Sequence, residues 1–223
     1  MKRAEEWLAG VWPVVRRLLP APPARVLEIG CGPFGGFVPM LRSSGYEAIG
    51  VDPNAPAEAS YRRVEFEQAE PFDGLDAVVA STSLHHVADP TEVLDRVVSA
   101  LAHGGRMIVV EWAWETFDQA TAEWCFERLA ADEEPGWLRR RRNEWLASGK
   151  PWPDYLRGWA SSEQLHSAES LLRLLDQRFE RTHFAGGPYV FPELPETSAE
   201  DEQAAIAAGR IRALRVDYAG TLA

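Results

Sequence analysis

The sequence has little cysteine and no long apolar run among its 223 residues. Its two cysteines, Cys31 and Cys125, suit reduced thiols in a cytoplasmic protein, and their spacing offers no metal site. No run approaches the roughly 18 apolar residues of a membrane-spanning helix. The first residues lack the apolar core of a signal peptide, and no internal repeat is present. We therefore expect a cytoplasmic protein that binds neither a metal nor a membrane.

Positive charge is also in short supply. The chain carries 23 Lys and Arg against 34 Asp and Glu, a formal net charge of −11. An acidic surface repels phosphate backbones, which argues against extensive nucleic-acid binding and against docking on anionic membranes. At this length and 46% hydrophobic content, the chain suits one sizeable domain.

The most informative segment runs from Arg25 to Gly36. A short apolar strand containing Glu28 leads into a glycine-rich turn, and a second apolar strand, from Tyr46 to Val51, ends at Asp52. Glycines suit such a turn because they accept positive φ and let a ligand approach the backbone. A carboxylate at the end of the second strand can hold a ribose diol by two hydrogen bonds. The segment therefore predicts a nucleotide-type cofactor site.

This pattern is consistent with two different cofactors. Residues 30–35 read Gly-x-Gly-x-x-Gly, and Asp52 follows about 20 residues later, as in the fingerprint of NAD-dependent oxidoreductases. Glu28, however, lies where it can accept a hydrogen bond from an ammonium group, which a pyrophosphate ligand lacks. Pro33 removes a backbone N–H from the turn and so removes a phosphate donor. These two residues favour a cationic cofactor over a dinucleotide.

With Glu28 before Gly-x-Gly, the block resembles motif I of the class I S-adenosylmethionine (SAM)-dependent methyltransferases, of the small-molecule, methyltransferase type 11-like kind, over about residues 24–111. The resemblance implies an α/β, Rossmann-like, doubly wound and mostly parallel seven-stranded sheet, with a helical cap inserted after strand five. It further implies methyl transfer from SAM to O, N or C of a small organic molecule. The alternatives are a non-catalytic SAM-binding module and an NAD-dependent oxidoreductase.

The resemblance also implies a set of cofactor-binding residues. Glu28 would lie near the ammonium of SAM, Asp52 would hold the ribose and Pro53 would border the adenine. The pattern departs from the family at Gln68, where an acidic residue is usual, and at Pro33-Phe34, which delays the third glycine by one residue. The predicted cofactor-binding residues are Glu28, Gly30, Cys31, Gly32, Asp52, Pro53, Gln68, Ala69 and Ser81.

The segment from Ser81 to Val87 resembles the family's loop after strand four, which faces the acceptor. Imidazole titrates near neutrality, so His85 or His86 could remove a proton from the acceptor. Glu111, at the end of strand five, could assist a histidine or bind a cationic amine. Each of these residues could instead serve the local structure. No Asn/Asp-Pro-Pro-aromatic run follows strand four, which argues against methylation of DNA-base amino groups.

Seven of the nine tryptophans fall between residues 112 and 159. Large aromatic residues stabilise any small helical cap, but a cap over an active site must also present some of them inward. Trp112 and Trp114 are the predicted substrate-binding residues.

The remaining patterns predict a single domain over residues 1–223. Hydrophobic periodicity predicts an N-terminal helix within 1–20, a SAM-binding core over 24–111 with a third strand at 63–66, and a Trp-rich cap over 112–160. The cap would hold helices at about 115–131 and 135–147, followed by a loop around 150–153. A last helix starting at Ser161 or Ser162 and a closing antiparallel pair, 178–184 with 188–191, would fill 161–193. A surface helix would cover 198–216.

Overall fold

The computed structural model describes residues 2–129 and 136–222, and within them one seven-stranded sheet has the order β3-β2-β1-β4-β5-β7-β6. The neighbouring pairs among β1 to β5 are parallel, and β7 runs antiparallel to both β5 and β6. This architecture confirms the predicted Rossmann-like fold class. The strands are β1 Arg25–Ile29, β2 Glu47–Val51, β3 Tyr61–Arg62, β4 Leu75–Ser81, β5 Leu101–Trp112, β6 Glu180–Gly187 and β7 Arg215–Thr221.

Helices cover both faces of the sheet. One face packs against α1 and α2, and the other against α3 and α7. Of the remaining helices, α4, α5 and α6 lie between β5 and α7 in the chain, and α8 lies between β6 and β7. The helices are α1 Lys2–Leu18, α2 Val38–Ser43, α3 Pro90–Ala100, α4 Gln119–Phe126, α5 Trp137–Ser148, α6 Trp152–Ser162, α7 Ala168–Asp176 and α8 Ala199–Ala207.

Strand β4 shows why the sheet is covered on both sides. Successive side chains of a strand point to opposite faces. Ala77 and Val79 join the cluster under α1 and α2, whereas Val78 and Ala80 join the cluster under α3 and α7. All four are fully buried. A strand buried on both faces reads as a nearly continuous apolar run, which here is the stretch from Ala77 to Ala80.

The helical segment after β5 has a core of its own. Trp152 is fully buried; its ring packs edge-on against Phe117, with 5.0 Å between centroids, and its Nε1 donates to the Phe117 carbonyl at 2.6 Å. The Trp145 ring packs edge-on against Trp152 at 5.5 Å. Most of the tryptophans in this segment therefore pack against one another within the cap.

Two predicted elements differ from the structure, one at the sheet edge and one in the cap. The third strand is only Tyr61–Arg62, and Phe66–Gln68 forms a 3-10 turn because Phe66 packs into the core beside α3. The predicted loop at 150–153 begins α6 instead, since a proline in the first turn of a helix sacrifices no hydrogen bond. Residues 130, 131 and 135 of the predicted cap helices lie outside the described residues.

The predicted C-terminal half needs further corrections. Ser167, not Ser161 or Ser162, caps the helix that ends at Asp176. The predicted helix over 198–216 ends at Ala207, and Arg215–Thr221 forms β7. Strand β6 pairs with β7 rather than with residues 188–191, so the closing pair predicted within 161–193 is wrong in its second strand. The paired residues lie between 28 positions (Gly187 with Arg215) and 41 positions (Glu180 with Thr221) apart, and local periodicity cannot reveal such a pairing.

Among the described residues, the search for a helix long and apolar enough to cross a membrane found none.

Candidate functional site

The carboxyl ends of β1, β2, β4 and β5 meet at one edge of the sheet, where β1 separates β2 from β4. The chain order reverses direction at β1, and open α/β sheets bind ligands in the crevice at such a switch point. The glycine turn follows β1, Asp52 follows β2 and the histidine loop follows β4. The structure thus brings the three segments singled out in the sequence to one place.

Two glycines of the turn have different roles. Gly30 has φ +77°, and a Cβ built there would lie 2.2 Å from the Ser83 Cβ, so the turn and the loop after β4 pack without space for a side chain. Gly32 has φ +63°, but a Cβ there would meet nothing within 4 Å. Gly30 is therefore required by packing, whereas Gly32 supplies the backbone conformation and leaves an open surface for a ligand.

Glu28 is fully buried, and its two oxygens have different surroundings. Its Oε2 accepts hydrogen bonds from the backbone N–H groups of Phe37 (2.7 Å) and Val38 (3.1 Å) at the start of α2. Its Oε1 is buried and accepts no hydrogen bond from the described residues. Burial raises the pKa of the Glu28 carboxyl to about 8, although the two N–H groups oppose this shift. A cationic ligand group beside Oε1 would satisfy the oxygen and favour the ionised carboxylate.

Asp52 is held in place by the backbone of its surroundings. Its Oδ2 accepts from the Gly32 N–H at 3.0 Å, and its Oδ1 accepts from the Asn54 N–H at 2.7 Å. These contacts fix the carboxylate at the mouth of the crevice, beside Pro53. A carboxylate fixed at this position can accept hydrogen bonds from a pair of hydroxyl groups.

Two cavities meet at the glycine turn. The first, of about 810 Å³, holds the side chains of five acidic residues, and we call it the carboxylate cleft. The second, of about 460 Å³, is walled by four aromatic rings, and we call it the aromatic cavity. Gly30, Gly32 and Thr82 line both. The acidic residues are Asp52, Glu65, Glu67, Asp89 and Glu92, and the rings are those of Trp7, Phe34, Trp137 and Tyr189.

The remaining predicted cofactor-binding residues divide between the cavities. Cys31 and Ser81 line the aromatic cavity, and Gln68 lines the carboxylate cleft. Ala69 is buried, and its carbonyl accepts from Arg96 Nη2 at 2.8 Å instead of facing the cleft. Burial, with the nearby Glu28 and Asp52, raises the pKa of the Cys31 thiol to about 12. Cys31 is therefore a neutral wall residue and not a nucleophile.

Glu111 fixes the loop after β4. Its Oε1 accepts from the N–H groups of Ser83 (2.8 Å) and Leu84 (2.7 Å), and its Oε2 lies 2.6 Å from His85 Nδ1. Both side chains are buried. The described residues lining the two cavities include neither Glu111 nor His85. The structure therefore gives this pair a positioning contact, and their predicted catalytic role gains no support from the geometry.

His86 is the one predicted base that lines a cavity, the carboxylate cleft. Desolvation and the adjacent His85 lower the pKa of its imidazole, while Glu111 and Glu163 oppose the shift. At neutral pH the ring is consequently uncharged, which is the form that accepts a proton.

The predicted substrate-binding tryptophans lie behind the cavity wall. The Trp112 ring stacks on Tyr189, with 5.9 Å between centroids, and meets Trp137 edge-on at 5.3 Å. Trp114 donates its Nε1 hydrogen to the His166 carbonyl at 3.1 Å. The cavity itself is formed by Trp137 and Tyr189, with Trp7 from α1. Sequence reasoning missed these residues because they come from three distant segments.

The charge of the carboxylate cleft discriminates between the two candidate cofactors. A pyrophosphate in this crevice would face five carboxylates, whereas a sulfonium and an ammonium are positively charged. The site therefore suits the cationic cofactor better than the dinucleotide.

In the described part of the chain, no group of three or more His, Cys, Asp or Glu residues could hold a metal ion.

Comparison with known families agrees with this geometry. Residues 3–184 match the model of a family described as "Methyltransferase domain". The match covers most of the chain, so the protein belongs to this methyltransferase family. Membership confirms the predicted family and, with it, SAM as the cofactor.

Individual relatives are more distant. The chain is 29% identical over 136 residues to a ubiquinone biosynthesis O-methyltransferase of Rhodopseudomonas palustris (strain TIE-1), covering 54% of this chain and 51% of the relative. It is 30% identical over 156 residues to the protein of the same name from Caulobacter sp. (strain K31), covering 62% and 58%. The chain thus spans between half and three fifths of these curated relatives.

A solved S-adenosylmethionine-dependent methyltransferase from Mesorhizobium loti has the same fold. Its TM-score is 0.58 at 20% identity, with 95% of this chain and 97% of that chain covered.

Proposed function

We propose that this protein transfers a methyl group from SAM to O, N or C of a small organic molecule. The observation that carries the proposal is the junction of two cavities at the glycine turn, one lined by carboxylates and one by aromatic rings. The first suits the adenosine part of SAM and the second suits an acceptor next to the methionine part. The sulfonium of SAM supplies an electrophilic methyl group, which the acceptor attacks in line.

The residues of the chain contribute placement above all. Glu28 Oε1 would accept from the ammonium of SAM, and Asp52 would hold the ribose hydroxyls. Glu111 would hold the loop after β4 against the reacting groups through its contacts with Ser83 and Leu84. Two reactants fixed in near-attack geometry in a cavity from which water is excluded need little further catalysis.

A base is required only when the acceptor must lose a proton. His86 is the one predicted base that lines a cavity, and its lowered pKa leaves it neutral, but that cavity is the carboxylate cleft, to which the proposal assigns the adenosine part of SAM. His85 and Glu111 would act through the loop and not on the acceptor. We expect His86→Gln to weaken the binding of SAM, because the ring borders the cleft proposed for adenosine; a lower rate of methyl transfer at saturating SAM is the result that would assign it as the base.

The names of the relatives suggest an O-methyltransferase, but similarity over about half their length does not extend to the acceptor. The acidic net charge supports a small-molecule acceptor and not a nucleic acid. Both cysteines are buried and free, which supports the predicted cytoplasmic location.

The experiment that tests the proposal is a calorimetric titration with SAM, S-adenosylhomocysteine and NAD. Micromolar binding of the first two without NAD is the expected result, followed by a screen of acceptors for methyl transfer. Asp52→Ala should weaken SAM binding by about tenfold or more, since two charge-assisted hydrogen bonds are lost. Binding of NAD alone would overturn the proposal, and binding of SAM without transfer to any acceptor would favour a SAM-binding module.

A further inference from the structure

Phe34 lies at the apex of the glycine turn with its ring outward. The turn is closed by a hydrogen bond from the Gly35 N–H to the Gly32 carbonyl at 3.2 Å. Gly35 is tightly packed, since a Cβ there would lie 2.3 Å from the Tyr61 hydroxyl. The next aromatic residue, Phe37, is fully buried, whereas Phe34 is 53% exposed. The fixed backbone thus presents the Phe34 ring at the mouth of the aromatic cavity.

The Phe34 ring lacks the partners that the other cavity rings have. Trp7 packs against Phe37 and Tyr189, and Trp137 packs against Trp112. Among the described residues, no ring contact with another aromatic side chain involves Phe34. Its ring is apolar surface exposed beside an aromatic cavity, and a bound molecule that covers it would remove that surface from water.

Exposure alone does not distinguish Phe34, because single exposed apolar residues are common. Phe184 is 51% exposed, but it lies on the edge strand β6 under the Arg181 guanidinium, 5.3 Å from the ring centroid. Phe34 differs in that it lines a cavity together with three other aromatic rings. It also occupies the two-residue segment, Pro33-Phe34, that delays the third glycine of the turn.

Charge in the aromatic cavity is nearly balanced on the protein side. Arg3 and Glu193 approach to 3.6 Å at its edge, and Glu28 is assigned to the ammonium of SAM in the proposed function. What remains for the acceptor is apolar surface, formed mainly by the four aromatic rings and completed by Leu8, Pro33 and Pro192, with Ser81 and Thr82 nearby. Aromatic rings prefer other rings in stacked or edge-on contact. The lining therefore favours a neutral planar ring over a charged or saturated molecule.

We infer that Phe34 is a specificity-determining residue: it contacts the methyl acceptor and selects a planar aromatic ring that carries the attacking group. The inference rests on the proposed function, since it assigns the aromatic cavity to the acceptor. It places the acceptor between Phe34 and the rings of Trp7 and Trp137.

The test compares two probes of the same skeleton, 2-naphthol and its saturated analogue 2-decalol, by titration into the protein saturated with S-adenosylhomocysteine. The unsubstituted protein should prefer the naphthol by about fivefold to tenfold, the value of one or two aromatic contacts. Phe34→Ala and Phe34→Leu should both lose most of this preference, whereas Phe34→Trp should keep it. Phe184→Ala, the same change at an equally exposed phenylalanine, should behave like the unsubstituted protein.

Three results would overturn the inference: equal binding of the two probes, binding of neither, or a preference that Phe34→Ala leaves intact. The affinity for S-adenosylhomocysteine should stay the same in all variants, and its loss in Phe34→Ala would place Phe34 in the cofactor site instead. Failure of the proposed function is distinguishable, because the unsubstituted protein would then either not bind S-adenosylhomocysteine at all or bind it and transfer a methyl group to no acceptor, whatever the two probes show.

Discussion

A single buried oxygen, Glu28 Oε1, connects the glycine motif to the chemistry of its ligand. The other oxygen of Glu28 is engaged by two backbone N–H groups at the start of α2, so the carboxyl group is fixed in position. With burial raising its pKa to about 8, Glu28 carries a proton in much of the unliganded protein at neutral pH. A ligand ammonium must therefore displace that proton.

We predict that this proton makes SAM binding pH-dependent. Affinity should rise as pH increases towards about 8, approaching tenfold per unit below the Glu28 pKa, because the ionised carboxylate binds the ammonium. Above about 8 it should fall again, because an α-amino group loses its own proton there. Calorimetry between pH 6 and 9 measures this profile. Glu28→Gln should weaken binding and abolish the rising part of the profile, so an unchanged profile in this variant would contradict the assignment.

The same group affects stability in the absence of ligand. The folded-state pKa of Glu28 is raised from 4.5 to about 8, so its contribution to stability is complete below 4.5 and is lost as pH rises to 8. Glu28→Gln should remove this loss, because an amide does not ionise. Thermal unfolding of the unliganded variant should therefore depend less on pH between 4.5 and 8. A variant with the unsubstituted protein's pH dependence would assign the effect to another residue.

The tight packing of Gly30 in the turn predicts that a substitution there lowers stability. Gly209, which follows α8 and has a similar φ, serves as the control. Gly30→Ala must place a Cβ 2.2 Å from the Ser83 Cβ at φ +77°, so we expect a loss of about 1–3 kcal/mol of stability from the backbone alone and more from the clash. Gly209→Ala, at φ +67° with nothing within 4 Å, carries only the backbone cost. Denaturant titration of the two variants separates these effects. Equal losses would mean that the turn relaxes away from Ser83.

At the scale of elements, the first half of the sheet could be predicted from the sequence and the last strand could not. Strand β4 is an apolar run whose identity is clear from the residues alone. Strand β7 contains Arg215 and Asp217, which form a buried ion pair at 2.8 Å. The charged, alanine-rich residues 198–216, which include the first two residues of this strand, were predicted to form a surface helix. The burial of the ion pair depends on β6 and on the Pro188 carbonyl, which accepts from Arg215 Nη1. Such tertiary contacts cannot be read from local periodicity.

In the candidate site, too, some residues could be predicted from the sequence and others could not. Glu28, Gly32 and Asp52 occupy the positions that the motif predicted, because one turn and one strand end define them. Trp137 and Tyr189 were missed, because the cavity wall depends on how the cap and the segment after β6 fold back over the sheet. The aromatic content of the cap was informative, but its periodicity could not indicate which rings face inward.

The segment that carries Tyr189 is held by one carboxylate of α8. Glu202 is fully buried and accepts hydrogen bonds from the N–H groups of Tyr189 (2.7 Å), Val190 (3.3 Å) and Phe191 (2.7 Å). Glu202→Ala would leave three donors without a partner, and we expect a loss of about 3 kcal/mol or more. In the same helix, Glu200 is exposed, and Glu200→Ala should change stability by no more than about 1 kcal/mol. Denaturant unfolding compares the two; equal effects would show that the Glu202 contacts contribute little.

At the scale of the whole molecule, the aromatic cavity joins parts of the chain that the core does not. Its walls come from the first turns of α1, the glycine turn, the start of α5 and the segment after β6. The second half of α1 is anchored independently, since Val11 and Val15 are fully buried against the sheet. Its first half, with Trp7, lines the cavity instead. A ligand in this cavity should therefore stabilise the first half of α1 against the glycine turn.

Hydrogen exchange with and without S-adenosylhomocysteine tests this coupling. At one hundred times its dissociation constant the ligand should add about 2.7 kcal/mol of stability, which corresponds to roughly 5–10 °C in the unfolding temperature. Exchange should slow in the glycine turn and in the first half of α1, because both border the bound ligand. The edge strand β6 lies at the far side of the sheet, so its outward amides should exchange at the same rate in both states. Equal slowing in β6 and α1 would mean that the ligand acts through global stability and not through the cavity wall.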